Sequence, residues 1–419
     1  MIRSVLSSIG SRLAVMFLTL GIVVMITQTL GDEGQGQAAL IQLGILLIVS
    51  VTNFIGGGAV VYLAPRVASR ALLMPAYLWS IGIAAIFYSF FHVFPWLPEG
   101  FEMHTAILGL LQALFTFHLQ LMVGKEKVHR FNLIVAIQAL VLAGSIFVWF
   151  FLLDQPSIEE YVRSLYASFI VTWLLSFAGT LSFMKRSAKS SFSQAFKEMW
   201  NFGKFAQLGN ILQLLNYRLN FLILERMISV GATGLYSLSF YASEAIWNVG
   251  KSLSLVQGSR IVNSTDDHYN QKLTLVFLHI SIVGTVGLIA IMLLIPDTTY
   301  QWIFGEEMAG LHTLLIYISP GILANACSVI LAHYFSGVGK HSRNTIGSAA
   351  GLIALLITVF PLISEFAIEG AAIAASIGYI VQCLTMFFLF MKMEQLKVKD
   401  LFHFSETWKS FKQRSIKGA

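Results

Sequence analysis

Charge is scarce in this chain. Lys, Arg, Asp and Glu make up 11% of its 419 residues, against about 25% in an average soluble domain. That is too little to solvate the surface of a water-soluble fold of this length. Cysteine is nearly absent: Cys327 and Cys383 both lie inside apolar stretches, where they read as small buried hydrophobes rather than a disulfide or a metal pair. No cluster of His, Cys, Asp or Glu has ligand spacing. No glycine-rich phosphate loop or nucleotide-binding pattern occurs. Metal-dependent and nucleotide-hydrolysing chemistry are therefore not expected, no cofactor is called for, and the chain reads as a non-enzyme.

What the sequence has instead is length in apolar runs. Hydrophobic residues account for 56% of it, and a membrane-spanning helix needs roughly 20 of them in sequence. Twelve stretches qualify: 13–30, 38–63, 72–94, 103–123, 132–153, 161–184, 206–228, 232–256, 273–295, 311–336, 344–363 and 368–391. The first follows Arg3 and Arg12 as a signal peptide would. It is too long for an h-region, and the following TQTLGDEGQG has no small-x-small cleavage site, so it is expected to be retained as a helix. The net charge of +6 is not a nucleic-acid signal, because most Lys and Arg fall in alternate gaps between the apolar runs. Orientation and anionic membrane lipids account for it.

The alternation fixes an orientation. In order, the gaps carry Arg3 and Arg12, then Asp32 and Glu33, then Arg66 and Arg70, then Glu99 and Glu102. Lys125, Lys127 and Arg130 follow, then Asp154, Glu159 and Glu160, then a basic run from Lys185 to Lys204. The second half repeats the beat with Asp297, Glu306 and Glu307, then Lys340 and Arg343, then Glu365 and Glu369, before a basic tail. Cytoplasmic loops hold the Lys/Arg excess, so both termini are expected to be cytoplasmic.

Two echoes suggest a duplicated six-helix unit. Gly31 and Gly34 follow the first span, and Gly231 and Gly234 follow the seventh. Gly124-Lys125 joins the fourth and fifth spans, and Gly339-Lys340 the tenth and eleventh. Six is even, so the halves keep one orientation, as parallel repeats do. The expected organisation is an N-terminal bundle over 1–184, an interfacial cytoplasmic linker helix over 185–205, a C-terminal bundle over 206–391 and a basic amphipathic tail over 392–419. In the linker, Phe192, Phe196, Met199 and Trp200 recur at helical spacing among lysines, which suits adhesion to a membrane surface. The tail does likewise with Leu401, Phe404, Trp408 and Phe411. The triplet Gly56-Gly57-Gly58 weakens the second span near its inner end, for close packing or for bending.

The search for chemistry converges on the seventh and eighth spans. Glu244 is the carboxylate nearest the centre of a span, and Arg218 the basic residue of comparable depth. A charge at the bilayer centre costs about 2.5–3.5 kcal/mol on insertion scales, so each needs a partner, a cavity or water. At similar depth on consecutive helices they are placed to pair. Either a packing ion pair or a working site fits. Gln207, Asn210, Tyr217 and Arg218 share a helical stripe with Leu214 and Phe221, with Gln213 and Asn220 to its side. Such a surface suits sugar hydroxyls and a phosphate, for which Arg offers a rigid fork of donors; it equally suits interhelical hydrogen bonding. Gln112 and Gln138 are candidates to face the same cavity from the first half. Arg66, after Pro65 at an inner helix end, is placed either to meet an incoming phosphate or simply to orient that end.

Four stretches carry a resemblance to a known family. TQTLGDEGQG with FIGGGAVVYLAPR resembles its first hairpin, and NYRLNFLILERMISVGATGLYSLSFYASEAIW its seventh and eighth helices. WIFGEEMAGLHTLL resembles the entry to its tenth helix, and HYFSGVGKHSRNTI with FAIEGAAIAASIG its later loop and twelfth helix. The chain thereby resembles the polysaccharide transporter branch, including the O-antigen (Wzx-type) flippases, of the multidrug/oligosaccharidyl-lipid/polysaccharide exporter superfamily. One position departs: the resemblance implies an acidic residue where Asn220 stands.

The resemblance implies an all-α membrane protein of twelve transmembrane helices in two six-helix bundles, a V-shaped transporter. It also implies flipping of a polyprenyl-pyrophosphate-linked oligosaccharide from the inner to the outer leaflet of a bacterial plasma (inner) membrane by alternating access. Expected partners are that lipid-linked oligosaccharide, membrane lipids and glycan polymerase components, with no nucleic acid. The expected substrate contacts are Arg218, Tyr217, Asn210, Gln207, Asn220, Gln112, Gln138 and Arg66, with Glu244 as charge partner or ion-coupling group and no metal. Two other readings stand beside it. An ion-coupled drug or metabolite exporter of the same fold would be expected to hold more deep carboxylates. A non-transporting scaffold of a glycan assembly complex would be expected to avoid the insertion cost of Arg218 and Glu244.

Overall fold

The computed structural model describes residues 2–183, 192–264 and 266–396, and among these every regular element is helical. The order is α1 (Ile2–Thr52), α2 (Gly57–Leu63), α3 (Ser69–Val93), α4 (Glu102–Gly124), α5 (Val128–Phe147, prolonged by a π turn to Leu152) and α6 (Ile158–Leu181). Then come α7 (Phe192–Met227), α8 (Val230–Val262), α9 (Asp267–Leu294), the short α10 (Asp297–Phe304), α11 (Leu311–Gly337) and α12 (Ser342–Glu394). The apolar part of the expected tail and the basic start of the linker (184–191 and 397–419) lie outside the described residues.

Eight of the described helices are long and apolar enough to cross a membrane. Two of these are double. Gly31 (φ 66°, ψ −159°) breaks α1 and Ala367 (φ 50°, ψ −128°) breaks α12. The second break is a reversal. A Cβ on Gly351 would lie 2.8 Å from the Gly378 carbonyl oxygen, and one on Gly370 would overlap the Leu362 carbonyl, so positions either side of the break stand face to face. Helices α7 and α8 are membrane-length too, but carry the polar residues described below. The described residues thus hold about twelve membrane-length helical segments, those of a multi-pass membrane protein.

The expected second span, 38–63, is interrupted. The chain leaves α1 at Thr52 and restarts at Gly57, whose φ of 56° is a backbone state that glycine adopts without penalty. Gln120 of α4 closes the gap: its Oε1 accepts the Gly57 N–H at 2.6 Å and its Nε2 donates to Asn53 Oδ1 at 3.3 Å. The glycine triplet therefore makes a fixed break held by side-chain amides. Capping elsewhere is local. Ser157 accepts from the Glu160 N–H at the start of α6, and Asp266 from the Tyr269 N–H at the start of α9.

The chain divides into two compact units. Unit 1 comprises 1–211 with two short pieces from later in the sequence, 229–235 and 301–308; unit 2 comprises 212–228, 236–300 and 309–419. Inside unit 1, α1, α4, α5 and α6 share a core with Ile41, Ile45, Leu108, Phe115, Leu165 and Phe169 at its centre. A second cluster joins α2, α3 and α4 to the start of α7. There Trp200 stacks on Phe54 at 5.4 Å and meets Trp79 at 5.9 Å, while Met199 is fully buried. The aromatic face expected to adhere to a membrane is thus largely packed on protein, and α7 runs unbroken from Phe192 into the seventh span. Unit 2 is built on α9, α11 and α12, with Leu273, Ile330, Leu331, Phe335 and Phe390 at its core. Cys327 and Cys383 meet as unbonded thiols between α11 and α12.

The later pieces of unit 1 close onto the α1 break. Gln28 donates to the carbonyls of Trp302 and Ile303 at 2.9 and 2.8 Å, and Glu307 Oε2 accepts the Asp32 N–H at 3.1 Å. The two turns singled out by their repeated glycines also meet. A Cβ on Gly36 would overlap the Val230 carbonyl oxygen, and one on Gly234 the Asp32 carbonyl oxygen. Only glycine permits backbones to approach so closely at these positions.

Candidate functional site: a buried guanidinium in unit 2

Arg218 enters unit 2 on the polar face of α7 and is 8% exposed. Its guanidinium lies over Phe240 at 4.1 Å from the ring centroid, with Phe221 at 5.0 Å and Tyr241 at 5.3 Å. These ring faces offset part of the cost of burying the charge. Its ionic partner is Glu244 of α8, at 3.6 Å from Nη2 to Oε2. Among the described residues the guanidinium makes no hydrogen bond within ordinary geometry, so the ion pair and the three rings are what hold it.

Glu244 has a second cation. Lys251 Nζ lies 3.7 Å from Glu244 Oε1. Seven residues are nearly two full turns of helix, so the two share a face of α8. A helical side chain leans toward the N-terminus of its helix, which lets Lys251 reach back to the carboxylate. Both groups are partly open, with side-chain exposures of 38% for Glu244 and 41% for Lys251. The three side chains together carry one net positive charge.

A largely buried layer of aromatic and amide side chains packs on the same helices, with Trp247, Tyr379 and Asn325 inaccessible. Tyr217 stacks on Trp247 at 5.1 Å and meets Tyr379 edge-on at 5.7 Å. Its hydroxyl donates to Asn325 Oδ1 at 3.1 Å, and Trp247 Nε1 donates to the Ile322 carbonyl. Asn220 donates to Tyr236 Oη at 2.8 Å and to the Ala371 carbonyl at 2.9 Å. Further along α7, Gln213 accepts from Ser348 and Gln382, and Asn216 donates to Gln382. Several buried polar atoms here have no partner among the described residues: Asn220 Oδ1, Asn216 Oδ1, Gln213 Nε2, Asn325 Nδ2 and Tyr379 Oη. Buried polar groups are rarely left so, and these five lie along α7 and on the α11 and α12 residues packed against it.

Of the residues expected from sequence, Arg218, Tyr217, Asn220 and Glu244 come together in unit 2. The others lie in unit 1. Gln207 donates to the Ser50 carbonyl at 2.8 Å and accepts from Asn210 at 3.2 Å. Gln112 is half-buried with Oε1 unpartnered among the described residues. Gln138 is half-buried on α5, its backbone carbonyl accepting from Ser168. Arg66 is exposed and folds back onto its own helix end, 3.8 Å over the Tyr62 ring and 2.5 Å from the Tyr62 carbonyl. Sequence reasoning did not select Lys251, Trp247, Asn325 or Tyr379. The seven-residue spacing from Glu244 was a usable signal for Lys251. No local signal pairs α7 with α11 and α12.

No protein-family model matches the sequence, and no curated protein matches it. Solved structures do match in fold. A multidrug resistance MATE family transporter of the MOP superfamily, in an inward-facing conformation, aligns with a TM-score of 0.73 at 12% identity over 90% of this chain and 94% of that one. The lipid II flippase MurJ, in an inward closed conformation, aligns with a TM-score of 0.71 at 14% identity over 100% of this chain and 93% of that one. A MOP superfamily transporter from Pyrococcus furiosus, for which reverse polarity of the binding pocket suggests a different function, aligns at 0.55 and 13% identity over 94% and 95%. The fold is that of the MOP superfamily transporters.

Proposed function

We propose that the chain is a flippase that moves a polyprenyl-pyrophosphate-linked oligosaccharide from the inner to the outer leaflet of a bacterial plasma membrane by alternating access. The observation that carries this reading is Arg218, a buried guanidinium with no hydrogen bond to any described residue, linked through Glu244 to a second cation, Lys251. Arg binds phosphate oxygens through paired N–H bonds, which makes the phosphate the part of the substrate that this residue would hold. The likeness to a lipid II flippase makes a lipid-linked substrate the economical choice. The direct test is reconstitution of the full chain in vesicles with a fluorescent polyprenyl-pyrophosphate oligosaccharide in one leaflet. Protein-dependent appearance in the other leaflet is expected; an unchanged rate would reject the reading.

A second reading, an ion-coupled drug or metabolite exporter, is favoured by the likeness to a MATE transporter. Against it, Glu244 stands between two cations, which offsets the negative charge that a cationic drug would need. Uptake of a cationic dye into the same vesicles, with no movement of the lipid, would select this reading. Movement of neither, in a protein that co-purifies with glycan polymerase components, would select a scaffold.

The orientation is tested separately. A cysteine replacing Lys127 is expected to react with an impermeant maleimide only from the cytoplasmic side, and one replacing Glu99 or Glu159 only from outside. Labelling of both sets from one side would remove the proposed placement of the termini in the cytoplasm.

A further inference from the structure

Glu244 is shared by two cations and held closely by neither. Charge-assisted N–H···O⁻ bonds close to about 2.7–2.9 Å, whereas its oxygens stand 3.6 Å from Arg218 and 3.7 Å from Lys251. Neither oxygen accepts a hydrogen bond within ordinary geometry among the described residues, and the side chain is 38% exposed. Its two oxygens go to two different cations: Oε2 to Arg218 of α7, Oε1 to Lys251 of α8. The carboxylate thus bridges them as any small anion with two oxygens on one centre would. A phosphate has the same feature, and a diphosphate has it twice.

We infer that Glu244 is a resident anion that occupies the space between Arg218 and Lys251 until the anion of the ligand replaces it, and that Lys251 is the second anchoring cation. This rests on the proposed reading of Arg218 as a phosphate anchor and deepens it. With Glu244 in place the three side chains carry a net +1; with Glu244 turned outward, the two cations present +2 to the incoming group. A neutral sugar has nothing to offer either cation and leaves Glu244 where it is. The site is then selective for anionic head groups, and release is assisted by the return of the carboxylate. Lys251 and Glu244 lie on one helix, so the carboxylate needs only a change of side-chain rotamer to leave.

The test is pyrophosphate binding to the purified full chain in lipid nanodiscs, measured by calorimetry. Glu244→Gln removes the competing charge while keeping size and polarity, and is expected to tighten inorganic pyrophosphate about tenfold, the size of one modest charge interaction. Lys251→Gln is expected to weaken it about tenfold, and adding it to Glu244→Gln should remove most of the gain. An unchanged or weaker affinity in a Glu244→Gln protein that melts like wild type would overturn the resident-anion role; unchanged affinity in Lys251→Gln would overturn the second anchor. Should Glu244→Gln fail to fold, Glu244→Asp, one methylene shorter, is expected to give a smaller gain in the same direction, and no gain overturns the inference. Binding that is lost in Arg218→Ala but indifferent to Glu244→Gln defeats this inference alone. Absence of binding in both wild type and Glu244→Gln, or binding indifferent to Arg218→Ala, defeats the phosphate-anchor reading as well. Competition by polyprenyl pyrophosphate in the nanodisc supports exchange with a lipid head group. Binding of free pyrophosphate without that competition keeps the exchange but overturns the lipid-linked source.

Discussion

Arg218→Ala is expected to abolish lipid transport while leaving the protein in the membrane near its normal level. Truncating one side of a buried, hydrogen-bonded charge pair, as Arg218 and a bound phosphate would form, typically costs about 2–5 kcal/mol, which corresponds to a loss of roughly thirtyfold to a few thousandfold in substrate affinity. Folding should suffer less than a simple buried pair would suggest. Removing one member of such a pair usually strands the other, but here Glu244 keeps Lys251 at 3.7 Å and an opening to solvent. What the fold gives up is the packing of the guanidinium on Phe240, Phe221 and Tyr241, worth about 0.5–2 kcal/mol for a cation over a ring. Arg218→Lys should recover part of the transport, since it keeps the charge but loses the planar fork. The informative variant is Arg218→Ala combined with Glu244→Ala. If Arg218 only neutralises Glu244, removing both restores transport; if it anchors the phosphate, the double variant stays inactive at normal abundance. Transport assayed in vesicles, with quantitation of the folded protein, separates these outcomes, and recovery in the double variant would reject the anchoring role.

The helical class and the Arg218–Glu244 pairing were legible because a charge in an apolar run is conspicuous and must be compensated. Both residues sit where a 3.6-residue period and a short connection bring consecutive helices together. Lys251 was less visible. It lies toward the inner end of its apolar run, where a cation usually serves orientation, and only its register with Glu244 distinguishes it. Tyr379 and Asn325 lay beyond reach of pattern. They come from α12 and α11, and nothing local distinguishes a polar residue aimed at a site from one that bonds a neighbouring helix. The same holds at the Gly56-Gly57-Gly58 break. The weakness of that stretch is written in the glycines, but its closure by Gln120, far along the chain on α4, is not. At the α12 reversal the charges of Glu365 and Glu369 marked a turn, yet the residue with positive φ is Ala367, a type that gives no hint of it. The aromatic face of the linker helix is ambiguous for a related reason. Phe196, Met199 and Trp200 at helical spacing are compatible with lipid or with protein, and α2 and α3 supply protein.

Gly234 carries the largest structural prediction. In an exposed helix interior, Gly→Ala stabilises by roughly 0.5–1 kcal/mol, because the backbone loses less freedom on folding. Gly284 on α9 has nothing within 4 Å of where a Cβ would stand, so Gly284→Ala should be neutral or stabilising by that amount. At Gly234 the sign reverses. The added carbon would overlap the Asp32 carbonyl oxygen and lie 2.9 Å from the Gly36 nitrogen. Both are backbone atoms, so no side chain can rotate away, and Asp32 is further held by Glu307 at its N–H. Overpacking of this kind costs about 1–3 kcal/mol. Gly234→Ala should therefore lower the thermal midpoint of the purified protein, or force the 31–36 and 230–234 turns apart, with transport reduced in either case. Gly36→Ala, meeting the Val230 carbonyl, should do the same, and the pair should not be additive because both strain one contact. Melting curves of the three single variants and of the Gly36/Gly234 double variant, run beside vesicle transport, provide the check. A Gly234→Ala protein that melts and transports like Gly284→Ala would mean that the two turns do not rest against each other as described.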